Sequence, residues 1–218
     1  MNNNLRKTAF AVCLIACMGD IAITSIIGFF YPGYSHLRNT LSQLGASISP
    51  VATVMSIWWV VVGSLFVLFG YLIGKIYPVG MYSRFASWLM IAYGIGEGIC
   101  SGLFPVDYSS NDFDLASELH IVLSGVGVLA LLIMPFVFQR IFSKQLYPRF
   151  FTLSYVVFFT GLLFMILFSV AKMYDVNDNF FAQYKGLWQR LISINFYFYF
   201  LVLALIILRQ RDNIEVTI

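Results

Sequence analysis

Six long apolar stretches dominate the sequence and limit what the chain can fold into. Each is about 20 residues long, the length of a helix that crosses a hydrocarbon layer about 30 Å thick. The stretches cover residues 8–31, 51–76, 85–104, 119–138, 151–171 and 191–208 of the 218-residue chain. Because only short connecting segments are left over, the sequence predicts a single integral membrane domain over residues 1–218.

The composition excludes a soluble globular domain. Hydrophobic residues make up 60% of the chain and charged residues only 11%, and no soluble core could bury that much apolar surface. Segments of alternating polarity, which are typical of membrane β-barrels, are absent from the sequence. Uniformly apolar runs of this length satisfy their backbone hydrogen bonds in lipid as helices. The predicted fold class is therefore all-α, a six-helix transmembrane bundle.

The first stretch has one alternative interpretation. Arg6 and Lys7 precede it, as basic residues precede the apolar part of a cleaved signal peptide. Cleavage would leave five spans in the mature protein. The apolar run is longer than that of a signal peptide, however, and no small-x-small cleavage site precedes Phe29. We therefore expect this stretch to be the first span.

The distribution of basic residues favours one orientation in the membrane. Cytoplasmic connecting segments carry an excess of Lys and Arg. With a cytoplasmic N-terminus, the outer side would hold four of the 13 basic residues, namely Arg38, Lys172, Lys185 and Arg190. The inner side would hold Arg6, Lys7, Lys75, Arg84, Arg140, Lys144, Arg149, Arg209 and Arg211. The sequence therefore predicts an N-in/C-in protein, integral to the cytoplasmic (inner) membrane with both termini in the cytoplasm. Acidic residues on the predicted outer side include Asp112, Asp175 and Asp178.

The longer loops fall on the predicted outer side, where they cover residues 32–50, 105–118 and 172–190. Loops held by a rigid scaffold tend to carry functional residues. In the first of these loops, Leu37, Leu41 and Leu44 recur at helical spacing before Gly45. This pattern predicts a short amphipathic outer-loop helix over residues 35–45, which would either seal the bundle or act as the lid of a cavity.

Four ionisable residues fall in or beside the outer halves of the predicted spans. Asp20 lies in the first span and Glu97 in the third, where a charged group is costly unless it faces a cavity or a partner. His120 and Arg190 lie near the outer ends of the fourth and sixth spans. These residues predict either a polar pocket open to the outer face or buried contacts that fix helix packing, and the sequence favours neither.

Glycines surround Glu97 in the third stretch, at positions 94, 96, 98 and 102. The spacings of Gly94 to Gly98 and of Gly98 to Gly102 match the G-x-x-x-G pattern. That pattern marks close helix packing more often than a ligand surface, so we expect a neighbouring backbone at this position.

The residues give little support to catalysis or metal binding. His36 and His120 are the two histidines and lack a paired spacing, so neither a metal nor another cofactor is predicted. Ser42, His120 and Asp107 could meet at the outer interface as nucleophile, base and orienting acid. No nucleophile motif accompanies them, so an enzyme is the less favoured interpretation.

Short motifs on the predicted outer side resemble a known family. They are Ser42-Gln43-Leu44-Gly45, Phe104-Pro105-Val106-Asp107, His120 and Gly186-Leu187-Trp188-Gln189-Arg190. In order and spacing they resemble the prokaryotic membrane family catalogued as domain of unknown function number 998, and the resemblance spans nearly the whole chain. It implies a six-helix scaffold but no assigned reaction, so no catalytic residue is carried over.

The leading hypothesis is an outward-facing polar pocket that binds a small molecule or a lipid head group. Its candidate ligand-binding residues are Asp20, His36, Arg38, Glu97, Asp107, His120, Gln189 and Arg190. One alternative is a membrane-embedded lipid hydrolase or transferase that uses His120 and Asp107. Others are a proton-coupled transporter in which Asp20 and Glu97 exchange protons, and a structural subunit. The predicted partners are the lipid bilayer and a lipid or small-molecule ligand, not nucleic acid, and the sequence leaves the oligomeric state open.

Overall fold

The computed structural model describes residues 3–107, 114–174 and 179–210, and all regular structure in these ranges is helical. The α-helices are α1 (Asn3–Gly28), α2 (Ala52–Ile76), α3 (Met81–Tyr93), α4 (Ser101–Leu103), α5 (Leu115–Gln139), α6 (Pro148–Lys172), α7 (Phe180–Gln183) and α8 (Lys185–Arg209). A 3₁₀ turn, Leu41–Gln43, precedes α2, and a π-helical segment, Gly94–Cys100, joins α3 to α4. The all-α prediction is confirmed. Asp112, Asp175, Asp178 and Arg211 lie outside the described residues.

Five helices are long and apolar enough to cross a membrane, namely α1, α2, α5, α6 and α8. Each has 25 or 26 residues, which corresponds to about 38 Å of helix. The chain is therefore an integral, multi-pass membrane protein. The remaining apolar stretch, 85–104, coincides with α3, the π segment and α4, which follow one another from Met81 to Leu103.

The helices alternate in direction, so the described connecting segments lie at two opposite ends of the helix bundle. We call one the loop-rich end, and it comprises residues 29–51, 104–107, 114, 173–174 and 179–184. Backbone hydrogen bonds join its segments, from the Ser47 amide to Val106 at 3.2 Å and from the Leu187 amide to Leu37 at 2.9 Å. The loop-rich end is thus a connected layer over the helix ends.

We call the opposite end the narrow end, and it comprises residues 77–80 and 140–147 with the start of α1 and the end of α8 beside them. The Arg6 guanidinium donates a hydrogen bond to the Gln210 carbonyl oxygen. The Tyr77 hydroxyl donates to the side-chain oxygen of the same glutamine. These contacts tie the start of α1 to the end of α8.

The glycine run of the π segment packs against helices on two sides. A methyl group added at Gly98 would come within 2.3 Å of the Gly63 Cα on α2, and one at Gly94 within 2.6 Å of the Gly63 carbonyl oxygen. A methyl group at Gly96 would come within 2.3 Å of the Leu123 carbonyl oxygen on α5. Backbone therefore meets backbone on both sides of Glu97, which is the packing role that G-x-x-x-G spacing indicates.

The first loop departs from the sequence prediction. The amphipathic helix expected over residues 35–45 is not formed, and this fully described segment contains only the 3₁₀ turn Leu41–Gln43. Polar side chains bond the backbone groups that a helix would pair internally. The Asn39 side chain accepts from the Ser35 amide at 2.9 Å, and the Gln189 side chain of α8 accepts from the Leu41 amide at 2.7 Å. The loop is consequently held both by hydrogen bonds within itself and by a bond to α8.

Candidate functional site

A cavity of about 430 Å³ lies within the helix bundle, toward the loop-rich end. The wall contains the ionisable residues Asp20, Glu97, His120 and Lys172, which come from four different helical segments. Much of the remaining wall is apolar. Pockets of this size and character accommodate small molecules or part of a larger amphiphile.

Glu97 lies in the middle of the π segment and lines the cavity. Counted by helical rise, it is about 9 Å below the loop-rich end. A single π turn is rare and frequently lies at a functional site. Gly127 of α5 leaves room beside the side chain, since a methyl group there would come within 3.1 Å of the Glu97 Cγ. Among the described residues, no hydrogen bond reaches the Glu97 carboxyl group.

Lys172 is the last residue of α6 and lines the same cavity. Its ammonium group lies 5.1 Å from the centre of the Phe168 ring, one turn earlier on the helix. A cation held over an aromatic face keeps its charge available to other partners. Within the described chain, no carboxylate oxygen lies within 4.0 Å of this ammonium group. Glu97 and Lys172 thus share a cavity without forming an ion pair.

Asp20 is buried where three helices meet. Its carboxyl oxygens accept hydrogen bonds from Trp58 Nε1 of α2 at 2.9 Å and from the Tyr197 hydroxyl of α8 at 2.9 Å. The Tyr93 hydroxyl of α3 donates to the Tyr197 hydroxyl at 3.2 Å. The resulting network connects α1, α2, α3 and α8 at the floor of the cavity. Asp20 therefore has protein partners that Glu97 lacks in the described structure.

His120 lies in the second turn of α5, and its ring is held by the backbone of the preceding connection. Its Nδ1 lies 2.9 Å from the Phe104 carbonyl oxygen. Because a carbonyl oxygen can only accept a hydrogen bond, Nδ1 must carry the hydrogen, and the neutral ring then has its lone pair on Nε2. His120 is buried to 8% exposure and lines the cavity.

Arg190 fastens the first loop to α8. Its guanidinium donates to the Asn39 carbonyl oxygen at 3.0 Å, to the Tyr34 hydroxyl at 2.6 Å and to His36 Nδ1 at 3.3 Å. Gly186 brings the two backbones together, since a methyl group there would come within 2.2 Å of the Asn39 carbonyl oxygen. We call this set, Tyr34, His36, Asn39, Gly186 and Arg190, the loop anchor.

The titratable members of the loop anchor respond to this environment. Burial raises the pKa of Tyr34 above its usual value, and the adjacent Arg190 guanidinium partly opposes that rise. Burial and the positive charge of Arg190 lower the pKa of His36 below its ordinary value. The anchor therefore favours a neutral His36 that accepts a hydrogen bond at Nδ1.

A family model described as "Protein of unknown function (DUF998)" matches residues 14–206. The chain belongs to the DUF998 family. This confirms the resemblance drawn from the outer motifs. No curated protein and no solved structure matches the chain.

The structure brings together five residues that the sequence marks as candidates in this DUF998 protein. The residues that line the cavity are Asp20, Ser42, Glu97, His120 and Gln189. The other candidates lie elsewhere, with Arg190 and His36 in the loop anchor and Arg38 exposed beside it. Asp107 lies outside the cavity wall, and its amide donates to the Ser117 hydroxyl at 2.9 Å.

Two important residues of the DUF998 protein escape the sequence reasoning. Lys172 follows an apolar stretch that ends at residue 171, so the sequence assigns it to a loop, whereas the helix includes it. Tyr197 lies within an aromatic run, yet Gln189, Ser193 and Tyr197 recur every four residues and all line the cavity. Such a polar stripe along one helix face is the signal that could have identified Tyr197.

The surroundings of His120 differ from those of a catalytic triad. A hydrolase of the kind considered from sequence would use Asp107 to orient the His120 ring. The Phe104 carbonyl oxygen occupies that position at Nδ1. In the described part of the DUF998 protein, no cluster of three His, Cys, Asp or Glu side chains is arranged to hold a metal ion.

Proposed function

We propose that this DUF998 protein crosses the membrane six times, with both termini in the cytoplasm and the loop-rich end outside. The sixth crossing is the run from Met81 to Leu103, which spans about 34 Å at the rise of an α-helix. That length exceeds the hydrocarbon thickness of about 30 Å. The excess of Lys and Arg at the narrow end supports the orientation.

We further propose that the cavity binds a small amphiphile or the head group of a lipid. The observation that carries this proposal is the pair of Glu97 and Lys172, two ionisable groups on one cavity wall without an ion pair between them. Glu97 lies at membrane depth, where an ionisable group is costly unless it serves a partner or a ligand, and Lys172 is exposed at the end of its helix. A polar ligand between them would supply the partners that the described residues do not.

The rest of the wall supports an apolar portion in the ligand. Phe66, Leu131 and Met165 face the same cavity, along with Val128 and Phe168. Burial of apolar surface contributes roughly 25 cal/mol per Å², so an acyl or aromatic group would add affinity that a purely polar metabolite lacks. The ligand class favoured by the lining is therefore amphipathic. Asp20 is assigned to helix packing, because Trp58 and Tyr197 already occupy its oxygens.

Native mass spectrometry of the purified protein tests this proposal. We expect a co-purifying lipid or metabolite on the wild type and at least a tenfold lower occupancy in Glu97→Gln and Lys172→Gln. The matched control is Lys144→Gln, which removes an exposed positive charge at the narrow end, away from the cavity. Equal occupancy in all four proteins, or no bound molecule on the wild type, would contradict the proposal.

A further inference from the structure

We propose that the ligand of the cavity is a phospholipid that enters sideways from the bilayer, through a gap between α5 and α6 near the loop-rich end. This inference rests on the proposed function, because it names the class of ligand and the route by which that ligand reaches the cavity. The evidence is that α5 and α6 contact each other toward the narrow end, whereas both line the cavity nearer the loop-rich end.

In the described structure, the hydrogen bond and ring contacts between the two helices lie toward the narrow end. There the Gln139 side chain donates to the Phe151 carbonyl oxygen at 3.1 Å, and the rings of Phe136 and Phe158 lie 4.6 Å apart. Nearer the loop-rich end, α5 and α6 both line the cavity. In the described structure, no hydrogen bond or ring contact connects α5 and α6 along that part. We call this arrangement a fork, with these contacts at one end of the helix pair and the cavity at its open side.

The open side of the fork reaches the lipid-facing surface. Ile121 lines the cavity and is nevertheless 52% exposed, and Ser169 on the facing helix is also exposed. Gly125 lies one turn after Ile121 in the same wall, and a methyl group added there would meet no atom within 4 Å. A wall that includes exposed residues of both helices is a lateral opening.

Neighbouring helix seams are closed by close contacts. Between α6 and α8, the Thr160 hydroxyl donates to the Asn195 side-chain oxygen at 2.8 Å, and the ring of Phe196 would lie 2.7 Å from a methyl group at Gly161. Between the π segment and α5, Gly96 lets the two backbones meet. The cavity-lining residues of α8 are all buried or half-buried, whereas α5 and α6 each contribute an exposed one, and we therefore place the entry between α5 and α6.

The first loop contributes to the cavity wall at the loop-rich end. The turn that contains Leu41 and Ser42 forms part of the wall, and Gln189 holds the Leu41 amide at 2.7 Å. Arg190 holds the same loop two residues earlier, through the Asn39 carbonyl oxygen. Two fastenings therefore hold the first loop in place beside this part of the cavity wall.

The chemistry along the gap matches a phospholipid. Lys172 lies at the loop-rich end of α6, where an ammonium group can bind a phosphate oxygen. Val128, Leu131, Met165 and Phe168 lie deeper along the same two helices and offer an apolar surface to an acyl chain. A phospholipid placed with its head group beside Lys172 would keep its chain at the depth of the surrounding bilayer.

Photocrosslinking from a defined bilayer tests the route. The full-length protein is placed in nanodiscs that contain phosphatidylethanolamine with a diazirine in its acyl chain, and adducts are mapped by mass spectrometry. We expect adducts at Leu131, Met165 and Phe168, inside the cavity. Gly125→Trp and Ser169→Trp place a large side chain in the gap from opposite helices and should each lower those adducts at least fivefold.

The control is Val122→Trp, which puts the same side chain on a 58% exposed position of α5 outside the cavity wall. It should leave the cavity adducts unchanged. A short-chain, water-soluble form of the same diazirine lipid distinguishes the source. Equal labelling of the wild type and both gap variants by the bilayer lipid would overturn lateral access, as would efficient labelling by the water-soluble probe alone.

The result separates the inference from the proposed function. If the bilayer probe leaves the cavity unlabelled while native mass spectrometry still finds a ligand that depends on Lys172, the ligand is not a bilayer lipid and the proposed function stands. If neither experiment detects a molecule in the cavity, both proposals are wrong. Size-exclusion profiles that match the wild type exclude misfolding of the tryptophan variants.

Discussion

Tyr197 and Trp58 donate hydrogen bonds to the two carboxyl oxygens of Asp20, so one acidic side chain joins three helices. In a bilayer each unsatisfied polar group is costly, and both donors come from side chains that are otherwise largely apolar. The contact therefore fixes the relative positions of α1, α2 and α8 as well as satisfying the carboxyl group.

We expect Tyr197→Phe to lower the free energy of unfolding by about 1–2 kcal/mol, because it removes one donor to Asp20 and leaves the ring in place. Titration with SDS in mixed micelles measures the change. Tyr155→Phe on α6 is the control, because that side chain is 48% exposed and its hydroxyl has no hydrogen bond in the described structure. Equal stability of the two variants would show that the Asp20 contact is not stabilising.

His36 gives the loop anchor a dependence on pH. The described titratable groups that face it are Tyr34 and Arg190. Because the folded state lowers the pKa of His36, folded protein binds fewer protons than unfolded protein, and anchor stability falls as the pH drops below about 6.5. Protonation also replaces the Nδ1 acceptor with a donor that faces the guanidinium.

Hydrogen exchange at the Leu41 amide measures this effect. After correction for the intrinsic exchange rate, protection in the wild type should be lower at pH 5 than at pH 8. His36→Gln retains a side-chain acceptor without a titration in this range, so its protection should be independent of pH. A wild-type profile as flat as that of the variant would be evidence against the anchor as a pH-sensitive contact.

At the level of single residues, the sequence identifies the acidic side chains that are unfavourable in a membrane, but it does not identify their hydrogen-bond partners. Asp20 and Glu97 are both conspicuous because acids are rare in apolar spans. Their surroundings differ, with two donors at Asp20 and glycines around Glu97. Partners such as Tyr197 are 177 residues away, and no local pattern specifies which helices become neighbours.

The π segment is the element that places Glu97 in the cavity, and its glycines allow the close packing that holds it there. Gly98→Ala should lower the free energy of unfolding by about 1–3 kcal/mol, because the added methyl group overlaps the α2 backbone. Thermal denaturation in detergent, monitored by circular dichroism, measures the loss.

Gly125→Ala on α5 is the matched control for this substitution. It adds the same methyl group in open space, and a helical alanine is more favourable than glycine by about 0.5–1 kcal/mol. We therefore expect Gly125→Ala to be neutral or stabilising. If both variants were destabilised to a similar degree, the loss of stability would come from replacing any glycine and not from the contact between the π segment and α2.

At the level of elements, the sequence predicts helices well and their irregularities poorly. Apolar length locates the spans because lipid leaves few alternatives to a helix. Nothing in the spacing of residues 94–100 distinguishes a π turn from an α turn, since the choice depends on how closely α2 and α5 approach. The loop anchor could not be predicted from sequence either, because the hydrogen-bond partners of Arg190 lie in a loop about 150 residues earlier.

For the whole molecule, the proposed orientation is tested by cysteine labelling in intact cells. In a Cys100→Ser background, Ile48→Cys lies at the loop-rich end and is 60% exposed in the native chain. A membrane-impermeant maleimide should label it in intact cells. Lys144→Cys, exposed at the narrow end, should react only after lysis. The reverse pattern would mean that the loop-rich end is cytoplasmic.

For the molecule as a whole, the helical scaffold can be predicted from sequence, but the contact between α5 and α6 cannot. The apolar lengths predict a multi-pass helical membrane protein, which the structure confirms, while the sixth crossing and the orientation inferred from the charge bias stay predictions. In the described structure, the hydrogen bond and ring contacts between α5 and α6 lie near Gln139 and not beside the cavity. Such differences between two ends of one helix pair arise from three-dimensional packing and leave no periodic signal in the chain.

The network around Asp20 also has a consequence for biosynthesis. At about 5–20 residues per second, a ribosome reaches Trp58 roughly 2–8 s after Asp20 but needs roughly 9–35 s to reach Tyr197. During that interval α1 carries a carboxyl group with one of its two final donors. The Asp20 carboxyl group in α1 therefore lacks its second hydrogen-bond donor until α8 is made. A nascent chain released before α8 would expose this unpaired carboxyl oxygen to the quality-control machinery of the membrane.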